Sequence, residues 1–268
     1  MINVIKATGE IEPFSEEKLR NSIKRAGIPK NQQDQLIDYI ESNLYNNIHT
    51  SQIYKHISDF FKKNHSYGRS KYSLKQSLMD LGPTGYPFED YVADILENEG
   101  FKTQVRLQFT GKCITHEIDV LAEKDNKKII IEAKFHNAPG IKTDCHVAMY
   151  TKARFDDIKE KNNLDEVWLF TNTKVTEDAL SYALCSNMKV IGWSYPDEQS
   201  LRDLIEKSRL FPITALTTLS QIQKQELMQN HIIMCRDLVK NPEFLDILAI
   251  DKTKKEKVLE EAGFIVLN

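Results

Sequence analysis

Cysteine, the residue that most often marks a zinc site or a disulfide framework, is scarce in this chain. The 268 residues contain four cysteines, and no two of them form a C-x-x-C pair: Cys113, Cys145, Cys185 and Cys235. A local zinc knuckle is therefore excluded, and isolated cysteines are typical of reduced thiols in a cytosolic protein. No apolar run approaches the ~18 residues that span a bilayer, and the first residues lack the apolar core of a signal peptide. We therefore expect a cytoplasmic protein without a membrane segment.

The chain also lacks an overall excess of positive charge. Its formal net charge is −3, so any contact with a nucleic acid must come from local patches. Residues 1–83 carry 12 Lys and Arg against 9 Asp and Glu, whereas the remainder is net acidic. Such a division suggests two parts with different tasks, although ordinary surface variation produces it too. The hydrophobic fraction of 41% suffices for a buried core.

Two glycines and two prolines between Leu81 and Pro87 form the clearest boundary in the chain. Before it, Met1–Phe14 predicts a strand, a turn and a second strand, and Ser15 predicts the N-cap of a helix. Apolar residues at helical spacing then predict three further helices. We expect one domain over residues 1–83, a second over 84–208 and a third over 209–268.

The second domain has an alternating pattern of helices and strands. One amphipathic helix precedes three strands, and helices then alternate with two more, which predicts an αβββαβαβ order and one mixed sheet with helices on both faces. Asp125-Asn126 predicts a tight turn between the second and third strands.

The third domain is predicted to be helical. Its two stretches Leu219–Asn230 and Ile250–Gly263 each resemble a helix, a tight turn and a second helix, as in a helix-hairpin-helix pair. Such hairpins offer turn N–H groups to a phosphate backbone. A small packing or dimerisation domain is the alternative.

Two acidic residues and a lysine interrupt the second and third strands of the predicted sheet. Asp119 lies between two apolar residues, and Glu132 and Lys134 follow the apolar run Ile129–Ile131. Side chains alternate along a strand, so Glu132 and Lys134 share a face, and pairing across the hairpin brings Asp119 beside them. Carboxylates suit Mg²⁺ or Mn²⁺, and a lysine beside them orients a water for phosphodiester hydrolysis. Glu89 on the preceding helix is a further candidate ligand.

The same alternation occurs in any half-exposed strand, which gives the pattern a purely structural interpretation. However, a Glu and a Lys at the end of a buried strand are costly unless they have a function. Glu117 falls on the same face as Asp119 and competes with it as a ligand. His116 and His136 flank the site, and we expect them to support it rather than to act as a catalytic base.

These motifs resemble the core of the PD-(D/E)xK nucleases, specifically the Mrr-like type IV restriction endonuclease domain. The similarity covers residues 84–208 and rests on Gly85–Leu96, Glu117–Val120, Ile129–Asn137 and Phe170–Ala183. It implies that Asp119 and Glu132 bind the metal, that Lys134 is the catalytic lysine and that Glu89 is the helix carboxylate. The family's usual Pro-Asp step is Ile118-Asp119 in this chain.

The first domain is similar to the ATP-cone, a nucleotide-binding regulatory module. The similarity rests on the pattern V-x-K-x-x-G at Val4–Gly9, on Glu12-x-Phe14, on Glu17-Lys18-Leu19 and on Ile48-x-Thr50. It implies that Lys6 and Lys18 contact the phosphates of ATP or dATP, that Glu12 and Thr50 lie near the nucleoside and that Val4 packs on the base. Arg69 and Lys75 are further candidates. The family's pattern has an Arg where this chain has Ala7.

Together these expectations describe an α/β multidomain protein: a helical ATP-cone with a small β-hairpin, a restriction-endonuclease-like mixed-sheet core and a small helical, helix-hairpin-helix-like domain. The resemblance implies a Mg²⁺-dependent endonuclease that cuts DNA in a defence role and forms at least a dimer. Two alternatives stay open: an ATP- or dATP-responsive DNA-binding regulator with a vestigial nuclease site, and an RNase that uses the same residues. The zinc-ribbon repressors that share the ATP-cone require C-x-x-C pairs, which are absent here, and a ribonucleotide reductase requires a longer chain.

Overall fold

The main helices and strands of the first two units follow the predicted order. A computed structural model describes residues 2–25, 28, 30–63, 70 and 72–267, so that Arg69 lies outside the described residues. The helices and strands are β1 (Asn3–Ile5), β2 (Ile11–Pro13), α1 (Glu16–Arg25), α2 (Lys30–Glu41), β3 (Ile48–His49), α3 (Thr50–Lys63), α4 (Leu74–Met79), α5 (Tyr86–Asn98), β4 (Lys102–Thr110), β5 (Thr115–Lys124), β6 (Lys127–Lys134), β7 (Lys142–Thr143), α6 (Cys145–Asn162), β8 (Glu166–Thr171), β9 (Lys174–Val175), α7 (Glu177–Cys185), β10 (Lys189–Ile191), α8 (Leu201–Ser208), α9 (Gln221–Gln229), α10 (Cys235–Lys240) and α11 (Lys252–Leu267). None of the helices in the described ranges is both long and apolar enough to cross a bilayer.

The N-terminal unit packs α1, α2 and α3 against a three-stranded sheet. The predicted hairpin of β1 and β2 is confirmed, and β3 adds a parallel strand beside β1. Ser15 is the predicted N-cap of α1, because its hydroxyl accepts a hydrogen bond from the N–H of Lys18 at 3.2 Å. The apolar stripes of the helices meet in one core, in which Ile23, Leu36 and Ile57 are fully buried.

The central sheet has the strand order β10-β8-β6-β5-β4. The strands β4, β5 and β6 are antiparallel, whereas β8 and β10 run parallel to β6. Asp125 and Asn126 form the predicted turn, with φ of 52° and 62°, the left-handed conformation that a two-residue hairpin loop requires. Ile129 and Ile131 face a core that contains α5, and Ile130 faces the core on the other side of the sheet. The mixed sheet with helices on both faces is therefore confirmed.

A second, small sheet joins β7 to β9 in parallel. The sequence did not predict it, because two-residue strands carry no readable alternation. It draws the segment after β6 towards the segment after β8. The hydroxyls of Thr143, Thr171 and Thr173 cluster there, with oxygen separations of 2.8 to 3.3 Å.

The C-terminal unit is helical as predicted, but the second predicted hairpin is wrong. Lys252–Leu267 form one helix, and Gly263 does not end it. Val258, Ala262 and Ile265 are fully buried on one face of this helix, so packing holds the backbone helical through the glycine.

Contacts between distant parts of the chain tie the N-terminal unit to the other two. The hydroxyl of Ser70 donates to the carboxylate of Glu261 on α11 at 2.6 Å, and that of Thr214 donates to the carbonyl of Ser77 at 2.6 Å. The turn between β1 and β2 approaches Gly140 so closely that a Cβ there would lie 3.1 Å from the carbonyl oxygen of Ala7.

Candidate active site

The candidate active site lies where β5 and β6 separate. The pairing of the two strands ends at Val120 and Ile131, while β6 stays paired to β8 as far as Lys134. Beyond that point the carboxylate of Asp119 accepts the N–H of Ala133 at 2.7 Å. The side chain of Asp119 thus takes the place of a backbone carbonyl as the partner of the Ala133 N–H. Beyond this point β5 and β6 are no longer paired, and an open space lies between them.

The space beside this opening is a polar cleft of about 350 Å³. It is lined by all four residues that the sequence predicted for catalysis, Glu89, Asp119, Glu132 and Lys134. The other lining residues come from the segment before α5 and from the end of β6 and the segment after it: Pro83, Gly85, Ala133, Phe135, His136 and Asn137. The structure therefore brings Asp119, Glu132 and Lys134 together as the strand alternation predicts, and it places Glu89 of α5 beside them. Their chemical roles stay predictions.

Arg154 of α6 holds Glu132 in place. Its guanidinium donates one hydrogen bond to the Glu132 carboxylate and a second to the carbonyl of Glu117 on β5. Both side chains are mostly buried, with 11% of Arg154 and 17% of Glu132 exposed. A planar guanidinium that spans two strands restricts the position of Glu132 more than a lysine would.

Arg106 of β4 plays a similar part for Glu89. Its guanidinium contacts the carboxylates of Glu89 at 3.2 Å and Asp90 at 2.7 Å. The neighbours of Arg106 on β4 pair with the neighbours of Asp119 on β5. Arg106 has a φ of 55°, a conformation that L-residues rarely adopt inside a strand. Backbone strain of this kind is found most often beside functional sites.

Burial is the largest cause that raises the pKa of each carboxyl group in the cleft. Burial, and next the Asp119 carboxyl, raise the pKa of Glu132 to about 7. The same two causes raise the pKa of Glu89 to about 7. Burial also raises the pKa of Asp119, although the N–H of Ala133 acts in the opposite direction. Partly desolvated carboxyls that repel one another are stabilised by a cation.

The donor set fits a hard divalent cation. In the part of the chain that the structure describes, no three His, Cys, Asp or Glu side chains are arranged as a complete metal site. Asp119 and Glu132 are the carboxylates predicted to bind a metal, and both line the cleft. Mg²⁺ commonly binds through one or two carboxylates and keeps several waters. The oxygen-only donors also favour Mg²⁺ or Mn²⁺ over softer metals.

The three residues that flank the predicted site lie in different surroundings. Glu117 is exposed and accepts a hydrogen bond from Gln108 at 3.0 Å, and it does not line the cleft. His116 contacts Asp157 of α6 at 2.9 Å. His136 does line the cleft, and its Nε2 lies 3.2 Å from the hydroxyl of Thr143. Burial and the charge of Lys134 lower the pKa of His136.

Of the residues predicted to bind a nucleotide, some contact one another in the structure. Glu12 binds the amines of both Lys6 and Lys18, at 2.7 and 3.3 Å. Thr50 begins α3 directly after β3, the strand that pairs with β1. Val4 is 4% exposed and packs in the core of the N-terminal unit. Lys18 also lines a cavity at the boundary with the central unit, together with Lys75.

Sequence reasoning missed the two arginines that hold the carboxylates. For Arg154 a signal existed, because it shares a helix face with the buried residues Thr151, Phe155 and Ile158, where an arginine needs a partner. For Arg106 no signal existed, since its backbone conformation is not readable from its neighbours.

Comparisons with known proteins relate this chain to several families. Family models match three successive parts: the ATP cone domain over residues 2–73, a restriction endonuclease domain of the Mrr type over 83–203 and the AF1548-like C-terminal domain over 211–266. An uncharacterized protein of Archaeoglobus fulgidus is 39% identical over 176 residues, which cover 65% of this chain and 99% of that protein. The chain belongs to the AF1548-like family.

A solved structure supports the same relationship. The crystal structure of the protein of unknown function AF1548 is 37% identical to this chain, with a TM-score of 0.60 over 69% of this chain and all of that one. This AF1548-like protein therefore carries an ATP-cone domain and a restriction-endonuclease-like domain, the fusion that its sequence motifs predict.

Proposed function

We propose that this AF1548-like protein is a divalent-metal-dependent endonuclease that hydrolyses phosphodiester bonds in DNA and responds to ATP or dATP. The observation that carries the proposal is the cleft between the separated ends of β5 and β6, which gathers two fixed carboxylates and a lysine. Asp119 is fixed by the N–H of Ala133, and Glu132 is fixed by Arg154. A defence role against foreign or modified DNA is the biological setting that the restriction-type domain supports.

The chain's own residues account for the positioning steps. Asp119 and Glu132 would hold a Mg²⁺ or Mn²⁺ ion, which lowers the pKa of a bound water and neutralises charge on the phosphate. Lys134 orients the attacking water and offsets the negative charge that develops on the phosphoryl oxygens. Glu89, kept in place by Arg106, is a further acceptor for a water in the cleft.

The nucleotide response is assigned to the ATP-cone domain. Lys6 and Lys18 are drawn together by Glu12, and a polyphosphate replaces that carboxylate as their partner. The effect of the nucleotide on cleavage then follows from contacts between this domain and the nuclease domain. A homodimer or larger assembly is the form that we expect to respond.

A cleavage assay tests the proposal directly. Supercoiled DNA and a structured RNA are incubated with the full-length protein and Mg²⁺, Mn²⁺ or EDTA, with and without ATP and dATP. Asp119→Asn and Glu132→Gln each remove a ligand charge while keeping the side-chain shape, so cleavage should fall by ~10²-fold or more. Glu117→Gln is the matched control, because Glu117 lies on the same strand but outside the cleft.

Each other outcome identifies a different function. Near wild-type cleavage in both carboxylate variants contradicts the site, and loss of cleavage in Glu117→Gln alone moves the ligand to Glu117. Cleavage of RNA only identifies an RNase. DNA binding without cleavage under any metal identifies a regulator with a vestigial site.

A further inference from the structure

A second cavity lies between the ATP-cone domain and the nuclease domain. Its volume is about 470 Å³, within the range of small-molecule sites. The ATP-cone side contributes α1, α3 and α4, and the nuclease side contributes the segment after β10 and helix α8. Because both domains form its walls, a ligand in this cavity contacts both at once.

The walls of the cavity combine aromatic rings with positive charges. The rings of Tyr54 and Tyr72 are 5.7 Å apart, and the amine of Lys75 lies 5.7 Å from the ring centre of Trp193. Lys18 and Arg202 add two further cations. Aromatic rings stack on nucleobases, and clustered cations attract phosphates, so this composition suits a nucleotide.

Three cations and the carboxylate of Glu206 line this cavity, and Lys18 and Arg202 also lie near the carboxylates of Glu12 and Asp203, at 3.3 and 3.9 Å. The Nε of Arg202 is buried and has no hydrogen-bond partner among the described residues. Burial, and next the nearby charge of Lys174, lower the pKa of Lys75. Glu206 is a lining carboxylate, and it can accept from the hydroxyls or the amino group of a nucleoside. A phosphate group would add a further counter-charge beside Lys18, Lys75 and Arg202.

We propose that the regulatory nucleoside phosphate binds in this interdomain cavity, and that Trp193 and Arg202 are the contribution of the nuclease domain to its site. The inference rests on the proposed nucleotide response and adds the location of the ligand. Lys18 connects the cavity to the ATP-cone residues, because its amine also contacts Glu12. A ligand bound there contacts both domains and so changes the stability of the interface between them.

A chain of hydrogen bonds leads from this cavity to the catalytic cleft. The N–H of Arg202 donates to the carbonyl of Trp193 at 3.4 Å, and the N–H of Trp193 donates to the carbonyl of Thr173 at 2.9 Å. The hydroxyl of Thr173 lies 3.3 Å from that of Thr143, which contacts His136 in the cleft. Hydrogen bonds therefore connect the two residues proposed to contact the ligand, Trp193 and Arg202, to the catalytic cleft.

Binding measurements on the full-length protein test the location. ATP and dATP at millimolar concentration should raise the thermal midpoint of the wild type, since a ligand that binds only the folded form stabilises it. Equilibrium dialysis with labelled ATP and dATP then gives the affinity of each variant. Arg202→Gln and Trp193→Ala should weaken binding by ~10-fold or more, whereas Trp193→Phe keeps a ring and should recover most of it.

Arg236→Gln is the matched control for Arg202→Gln. Arg236 also precedes an aspartate in a helix and also has a buried Nε without a hydrogen-bond partner among the described residues, but it lies in the C-terminal unit and donates to Asn98. We expect the Arg236→Gln variant to bind ATP and dATP as tightly as the wild type does. If Lys18→Ala loses binding while both nuclease-side variants bind normally, the ligand lies on the ATP-cone alone and the inference is wrong. If the wild type binds neither nucleotide, the proposed nucleotide response itself fails.

Discussion

At the scale of single residues, a substitution of Lys134 can distinguish a role in catalysis from a role in DNA binding. Lys134 ends β6 and lines the cleft. The proposed role of its amine is to act on the attacking water and the developing charge rather than on the metal. Lys134→Ala should therefore reduce single-turnover cleavage by ~10²-fold or more and leave DNA affinity, measured by mobility shift in Ca²⁺, nearly unchanged. Equal losses of affinity and turnover would show instead that Lys134 anchors the substrate.

Asp157 binds the loop between β4 and β5 through hydrogen bonds to its carboxylate. It accepts hydrogen bonds from His116 at 2.9 Å and from the N–H groups of Cys113 and Ile114 at 2.8 and 3.3 Å. Burial acts to raise its pKa, but the bonds from His116, Cys113 and Ile114 prevail and hold the pKa of Asp157 well below its usual range.

A carboxyl whose pKa is lower in the folded state than in the unfolded state stabilises the fold at any pH above its unfolded-state pKa, which is about 4. This stabilisation is lost as the pH falls from there towards the folded-state pKa. We therefore expect Asp157→Asn to lower the free energy of unfolding at pH 7, and the difference from the wild type to shrink below about pH 4. Urea titrations at pH 7 and pH 3 measure this. Glu160→Gln, an exposed neighbour on the same helix, is the control, and a difference independent of pH would contradict the explanation.

The meeting of the predicted site residues in one cleft could be read from the sequence because these residues obey strand alternation. Asp119, Glu132 and Lys134 interrupt apolar strands, and the turn residues between them set the register that brings them together. The partners of these residues were not predictable, because Arg154 reaches Glu132 across the space between α6 and the sheet. Helical spacing shows that Arg154 faces inward but not what it contacts.

At the scale of elements, the two-residue strands were the ones that the sequence did not predict. Strands β4 to β6 and helix α6 carry enough residues for a periodic pattern, whereas β3, β7 and β9 have two residues each. Gly263 predicted a break in α11, but the burial of Val258, Ala262 and Ile265 overrides the weak helix propensity of one glycine.

Gly140 is where the ATP-cone hairpin touches the segment that follows the catalytic strand. Its φ is +86°, and a Cβ would lie 3.1 Å from the carbonyl oxygen of Ala7. Gly100 has the same φ, but its Cβ would meet only the flexible end of Lys124, at 3.6 Å. Both glycine-to-alanine variants carry the left-handed strain of about 1–2 kcal/mol, and only Gly140→Ala also displaces the hairpin.

We therefore expect Gly140→Ala to lose at least as much stability as Gly100→Ala, and Gly140→Ala alone to change the ratio of cleavage rates with and without nucleotide. Chemical denaturation measures the first quantity, and cleavage at saturating ATP or dATP measures the second. An unchanged ratio in Gly140→Ala would show that this contact does not transmit the nucleotide signal.

At the scale of the whole molecule, the contacts between units were beyond sequence reasoning. Ser70 and Glu261 are 191 positions apart, and neither belongs to a pattern that indicates a partner. The charge division between residues 1–83 and the remainder suggested separate parts, but the surfaces that join them depend on how three folded units pack.

Glu261 is the residue that joins the units most closely. It is fully buried on α11, and its carboxylate accepts hydrogen bonds from Ser70, from the hydroxyl and N–H of Thr217 and from the N–H of Thr218, all between 2.6 and 2.9 Å. A buried carboxylate with this many donors is costly to remove, because the donors are then left without a partner.

Glu261→Ala should therefore lower the free energy of unfolding by about 3–5 kcal/mol, while Glu260→Ala, an exposed neighbour on the same helix, should have a small effect. Glu261→Gln keeps one acceptor oxygen and should lie between the two. Because Ser70 connects Glu261 to the ATP-cone side, we also expect limited proteolysis to cut the Glu261→Ala variant near residue 70 faster than the wild type under native conditions. Equal stability of the two alanine variants would mean that the three units hold together without Glu261, and equal proteolysis would mean that Ser70 does not depend on it.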